Sequence, residues 1–311
     1  MMDATYIEAV RLLLKAIPVL FREPRFAMKG GTAINLFVQD LPRLSVDIDV
    51  VFTDHTASRE AALRIIGAAL EVARKELNRM GLEAELPVRT HGDESKLFLR
   101  RGRQQVKVEV NHVFRGTILP VQSLALTPET RCLFTTEVES PVLTTAELYG
   151  GKLVAALDRQ HPRDLFDVHC LFGSGGVTDE IVECFVAYLA GHNRPIHEVL
   201  FSRDHDLVTA FKNEFWGMTR IPVELPVLVE ARHRLRRELR SRLTDNHRQF
   251  LIGLVRGEPP WEVMRCLHLS EMPAIRWKLK NLATLKRSSP DKYERQADAL
   301  IDGFRHRTEI C

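Results

Sequence analysis

Apolar residues recur at helical spacing near the start of the chain. Ile7, Val10, Leu13, Leu14 and Ile17 fall on one stripe, which predicts an amphipathic helix over residues 5–21. Pro18 is expected to kink or shorten it, and Pro24 to end it. Phe26, Ala27 and Met28 read as a short strand, and Ala33, Ile34, Leu36, Phe37 and Val38 as an apolar helical segment. Residues 45–51 then alternate as a strand: Asp47, Asp49 and Val51 point one way, and Ile48, Val50 and Phe52 point into a core. A second helix is predicted over residues 58–80, with Leu63, Ile66, Leu70, Ala73 and Leu77 inside and Gly81 as its stop. Residues 82–88 and 96–101 read as short strands. Residues 106–113 alternate again, with Val106, Val108 and Val110 facing inward and Lys107, Glu109 and Asn111 facing outward.

Near Pro141 the strand-like segments stop and helical spacing takes over. Two domains are expected: an α/β domain with a mixed sheet over residues 1–140, and a mostly helical domain over residues 141–311. Thr144 and Glu147 have capping-box spacing at the start of one helix, which packs through Leu148, Leu153, Ala156 and Leu157. Pro162 breaks it. The next helix carries Asp164 and Asp167 one turn apart on one face. Gly173 to Gly176 is a loop and not a phosphate cradle, because no Lys-Ser/Thr follows. Residues 179–229 carry no motif.

The chemistry concentrates between Met28 and Val51. Two aspartates on one strand face repel each other, and a hard divalent cation with oxygen ligands relieves the repulsion. Gly30 and Gly31, just before a helix, let a phosphate approach backbone N–H groups. If residues 106–113 lie beside the aspartate strand, Glu109 becomes a third carboxylate; it is equally well placed to pair with Lys107. A Gly-Gly turn or an Asp-x-Asp strand alone fits ordinary structure, and their succession carries the functional reading.

Together these residues resemble the polymerase-β-type nucleotidyltransferases, and more closely the AbiEii/AbiGii toxin family, also called MenT-like. The resemblance rests on Gly30-Gly31-Thr32-Ala33, on Arg43-Leu44-Ser45-Val46-Asp47-Ile48-Asp49, and on Lys152-Leu153 with Arg159 and Arg163-Asp164-Leu165-Phe166-Asp167. It extends less specifically to the tail around residues 247–282. It implies Mg2+ on Asp47, Asp49 and Glu109. Gly30, Gly31, Thr32 and Ser45 would line an NTP, with CTP favoured, and Lys152 would hold its triphosphate. Asp164 or Asp167 would orient that lysine or act on the acceptor. It further implies an active site between the domains, the 3′ end of tRNA as acceptor and a cognate antitoxin as partner. A phosphate on Ser45, placed by an antitoxin kinase, would repel the donor if the strand begins by Ser45. Otherwise Ser45 hydrogen-bonds the turn around Pro42.

Composition narrows the classes. The chain has 311 residues, 45% hydrophobic and 27% charged, as in globular proteins. No apolar run approaches a membrane span, and the acidic N-terminal stretch is unlike a signal peptide. Five cysteines without a Cys-x-x-Cys pair fit a reducing cytoplasm better than a disulfide framework, and His161, His169 and Cys170 lack a fourth metal ligand. Net charge is +3, but residues 231–249 concentrate Arg232, Arg234, Arg236, Arg237, Arg240, Arg242 and Arg248. That run suits either a phosphate backbone or a solvated helix face with Glu230 and Glu238. Two rival functions follow: transfer to a small molecule or a protein, and nucleotide binding without catalysis. The paired aspartates argue against the second.

Overall fold

A computed structural model of the chain describes residues 2–87 and 94–305. Val88 and Cys311 lie outside the described residues. The chain divides into two compact units, Met1–Leu148 with Phe211–Glu224, and Tyr149–Ala210 with Leu225–Cys311.

The first unit is built on one mixed sheet. In chain order it holds α1 (Ala4–Leu20), β1 (Phe26–Lys29), α2 (Gly30–Ala33), a π-helical turn (Ile34–Val38), β2 (Asp47–Phe52), α3 (Arg59–Arg79) and β3 (Glu83–Glu85). It continues with β4 (Glu94–Arg101), β5 (Gln104–Asn111), β6 (Gln122–Ala125), α4 (Pro128–Phe134) and β7 (Glu139–Val142). The strands order as β3-β4-β5-β2-β1-β7-β6. β2 runs antiparallel to β1 and parallel to β5, so the Asp-x-Asp strand sits centrally.

The helices form where the apolar spacing predicts. Asp3 caps α1 by accepting from the Thr5 N–H, and the helix runs through Pro18 without ending there. Ser58 caps α3 by accepting from the Ala61 N–H. α1 and α3 pack together, with Leu13, Ile17, Ile66, Leu70 and Leu77 buried, and α1 lies against β5, whose Val106, Val108 and Val110 are fully buried. Val51, expected to share the outward face of the aspartates, is also fully buried, because the sheet is covered on both faces at that end of β2.

Three expectations need correction. Pro141 does not mark a domain boundary: it lies in β7, opposite Ser123 of β6, and Met28 pairs with Val142. A proline is tolerated there because it donates to no ladder bond. The division between units falls later, inside α5 (Thr145–Asp158). The carboxylate expected to close the capping box at Thr144 also serves a distant segment. Thr144 Oγ1 accepts from the Glu147 N–H at 3.3 Å, but the Glu147 carboxylate turns to the backbone N–H groups of Ile118 and Leu119, at 2.8 and 3.0 Å. Burial explains this: Glu147 is fully enclosed, and two distant backbone donors satisfy it there. Finally, Phe211–Glu224 belongs to the first unit. The Met218 carbonyl accepts from Leu44 N–H, the Pro42 carbonyl accepts from Arg220 N–H, and Arg43 bridges Thr219, so this segment clamps the entry to β2.

The second unit is helical. Its remaining elements are α6 (Pro162–Gly173), α7 (Asp179–Ala190), α8 (Ile196–Leu200), α9 (Val208–Glu214, shared with the first unit), α10 (Leu225–Arg242), α11 (Asp245–Val255), α12 (Pro273–Ser288) and α13 (Pro290–Arg305). Gly150 of α5 meets α7 so closely that a Cβ would lie 2.6 Å from Cys184 Cβ and 2.8 Å from the Phe185 nitrogen. No described helix is long and apolar enough to cross a membrane.

Candidate active site

The pairing of β2 with β5 assembles a charged face. Asp49 lies in register with Glu109, and Asp47 with Lys107. Lys29 of β1 pairs with Asp49, and Lys96 of β4 with Glu109. Directly paired residues project to the same side of a sheet. Asp47, Asp49, Glu109 and Lys107 are therefore neighbours, all half-buried.

Both readings of Glu109 hold at once. It stands beside Asp49, and its carboxylate binds Lys107 Nζ at 2.7 Å. Burial works against the charge on Lys107, but the Glu109 hydrogen bond and the charges of Asp47, Glu109 and Asp49 outweigh it and hold its pKa above the usual lysine value. Among the described residues no group of three His, Cys, Asp or Glu side chains is arranged to hold a metal ion. Glu109 is paired with Lys107 while standing in register beside Asp49. Asp47 and Asp49 alone still suit Mg2+, which needs one or two carboxylates and completes its shell with water and substrate phosphate.

The Gly-Gly turn is pressed against this face. Gly30 has φ +77°, and a Cβ there would lie 2.1 Å from Asp49 Oδ2. A Cβ on Gly31 would lie 2.8 Å from Arg43 Nη2 and 3.1 Å from Ser45 Oγ. Thr32 Oγ1 donates to the Asp47 carbonyl and lies 3.0 Å from Ser45 Oγ. Asn35, in the π-helical turn, donates to the Gly31 carbonyl at 2.8 Å. The turn, Thr32, Ser45 and the first residue of the aspartate strand are thus one hydrogen-bonded unit. Ser45 precedes β2, which begins at Asp47, and its hydroxyl meets Thr32 instead of the Pro42 turn.

In the second unit, Lys152 of α5 is buried between two aspartates of α6. Its Nζ lies 2.9 Å from Asp164 Oδ1 and 2.8 Å from Asp167 Oδ2. Asp164 also accepts two bonds from Arg159, Nε at 2.6 Å and Nη2 at 2.9 Å. Burial raises the Asp164 pKa, but the charge of Lys152 and the contacts with Arg159 reverse this and hold it well below the carboxylate range. The spacing of Asp164 and Asp167 predicts their common face, and Arg159 stands in the same motif block of the sequence. Its side chain is 60% exposed and is the outward cation of the cluster. Arg159 follows Lys152 by seven residues, two helical turns, and that is the signal that marks it.

Two other sequence features have partners within the fold. His161 caps α6 by accepting from the Arg163 N–H at 3.1 Å. The arginine run is tied into the fold. Arg232 donates to Gln160, the His205 carbonyl and Asp204, and Arg236 to Asp204 and the Ser202 carbonyl. Arg237 pairs with Glu230, and Arg234 and Arg242 with Glu238.

Comparison with known proteins adds to this geometry. The model of the nucleotidyl transferase AbiEii toxin family, a type IV toxin–antitoxin family, matches residues 11–281. No curated protein sequence matches. The fold is similar to that of MenT4, a nucleotidyltransferase toxin from Mycobacterium tuberculosis H37Rv. The two are 19% identical over 90% of this chain and 95% of that one, with a TM-score of 0.58.

Proposed function

The chain belongs to the AbiEii nucleotidyltransferase toxin family of type IV toxin–antitoxin systems, and from that premise we propose that it moves a nucleoside monophosphate from an NTP, CTP favoured, to the 3′ end of tRNA in a Mg2+-dependent reaction. The observation that carries this reading is the in-register pairing of β2 with β5 while Gly30 lies against Asp49.

The reaction joins an acceptor hydroxyl oxygen to the α-phosphorus and breaks the bond to the leaving pyrophosphate. The hydroxyl proton is taken up at the carboxylate face. Positioning and charge neutralisation are the protein's main contributions to such a transfer. Asp47 and Asp49 would hold Mg2+, which supplies neutralisation of phosphate charge when bound. Glu109 fixes the Lys107 ammonium beside them, where it offers the donor phosphates a positive charge. Gly30 and Gly31 leave room for a phosphate near the backbone, and Thr32 and Ser45 hold that turn in register with Asp47. In the second unit, Asp164 and Asp167 orient the Lys152 ammonium, the cation that the family resemblance would assign to phosphate.

The test is incubation with each labelled NTP, Mg2+ and total tRNA, resolved on a gel. Label from CTP should enter tRNA, with pyrophosphate released. NTP binding without pyrophosphate release would overturn catalysis, and label on protein or small molecules alone would overturn the RNA acceptor.

A further inference from the structure

A groove of about 930 Å3 lies in the first unit, and none of its lining residues belongs to the Asp47–Asp49 face. Its base is the outward stripe of α1. Glu8, Arg11, Lys15, Pro18 and Arg22 line it at helical spacing. Arg101 and Arg103, at the turn between β4 and β5, line it together with Thr135 to Val138, which lead into β7. The half-exposed Met80 supplies apolar surface, and Leu12, Val19 and Phe134 lie buried beneath it along the groove.

We propose that this groove docks an extended acidic segment of a partner protein, with apolar side chains set among its carboxylates. Charge is the first argument. Arg11 and Arg22 are engaged with Glu8 and Glu76, at 3.2 and 2.6 Å. Lys15, Arg101 and Arg103 are exposed and have no side-chain partner among the described residues. Three unpartnered cations therefore converge on one apolar surface. Length is the second. From Glu8 to Pro18 the stripe runs about 15 Å at helical rise, which about five extended residues would span, and Arg22 lies just past the end of the helix. The third concerns what does not fit. Glu8, Glu76 and Glu137 interrupt the positive charge along the groove, and its aromatic side chain, Phe134, already lies under Arg11 at 5.7 Å. A nucleic-acid strand needs an unbroken basic track and open stacking faces, whereas an acidic peptide needs separate cations and apolar contact between them. Met80 suits the latter, because an unbranched thioether adapts to varied side chains.

The proposal does not depend on the nucleotide-transfer reading. It is tested on the full chain by fluorescence anisotropy with the labelled peptide Asp-Leu-Glu-Glu-Leu-Asp-Leu-Glu. Saturable binding is expected, weakened at least tenfold in the triple variant Lys15→Glu/Arg101→Glu/Arg103→Glu and also weakened by Met80→Glu. Arg287→Glu, a charge reversal in α12, should bind as the parent does. All substituted side chains are exposed, so melting temperatures should hold; if the triple variant melts lower, Met80→Glu decides alone. Absence of saturable binding, or parental affinity in both groove variants, overturns the proposal. So does displacement of the peptide by a twelve-nucleotide oligouridylate whose own binding is lost in the triple variant but kept in Met80→Glu.

Discussion

Gly30 has no room for a side chain. Its φ of +77° costs an L-residue roughly 1–2 kcal/mol, and a Cβ would displace the Asp49 carboxylate. Gly30→Ala should therefore lower transfer by about a hundredfold or more, the order expected when a reacting group moves by an ångström. Circular dichroism should remain native. Asp47→Ala and Asp49→Ala should each abolish transfer with the fold intact, since neither side chain is part of the buried core. Parental rates in a folded variant would remove the residue from the site. Lys152 behaves differently. Its removal takes from the buried Asp164 and Asp167 the ammonium that both bind, which should cost about 3–5 kcal/mol. The pH dependence has a fixed sign. The Asp164 pKa is lowered on folding, so its stabilisation is present above the ordinary carboxylate value and lost as pH falls toward the folded one. Lys152→Met should accordingly differ most from the parent near pH 7, and the gap should narrow in acid, as read from urea melts.

At the scale of elements, α5 and α7 approach through a glycine. Gly150→Ala places a methyl against the Cys184 backbone, where only backbone movement makes room. Overpacking of this kind costs about 1–3 kcal/mol, and the melting temperature should fall accordingly. Gly173→Ala, which would meet nothing within 4 Å, is the matched control. The helix after Gly-Gly-Thr-Ala follows the apolar pattern, but it opens into a π turn that closes with Gln39 N–H on the Ile34 carbonyl at 2.7 Å. No period in the sequence signals this. It accompanies the buried Asn35, which reaches back to Gly31. β6 and β7 are short, four residues each, and Pro141 disguises the second as a boundary.

Across the whole chain, the C-terminal helices are fastened to the rest of the second unit through Lys278. Its ammonium donates to the carbonyls of His192 and Arg194, at 2.8 and 2.6 Å, just beyond the end of α7. Burial lowers its pKa to about 8, against a smaller opposing pull from Glu198. The unfolded chain then holds the proton more tightly than the folded one between about 8 and the ordinary 10.5. Stability contributed at this site therefore rises with pH across that window. Relative to Lys278→Met, the parent should gain on the order of 3 kcal/mol between pH 8 and 10.5. A difference that stays flat, or falls, would contradict the buried charge.

Spacing alone settles which side chains share a face, because that depends only on the period of the local backbone. It therefore determined Asp47 with Asp49, the stripe of α1, the face shared by Asp164 and Asp167, and the order of Gly-Gly turn before Asp-x-Asp strand that marks the family. What those faces meet is set by contacts between residues far apart in sequence, which no local period encodes. Tertiary structure alone decided that Asp49 stands beside Glu109 and that the Glu147 carboxylate accepts from the Ile118 and Leu119 backbone. It likewise returned Phe211–Glu224 to the first unit, where Met218 and Thr219 hold the entry to β2. The arginine run shows the limit most plainly. Its composition fits a phosphate track, and Glu230 and Glu238 on the same helix are legible as its partners, but Asp204 reaches Arg232 and Arg236 only through the fold.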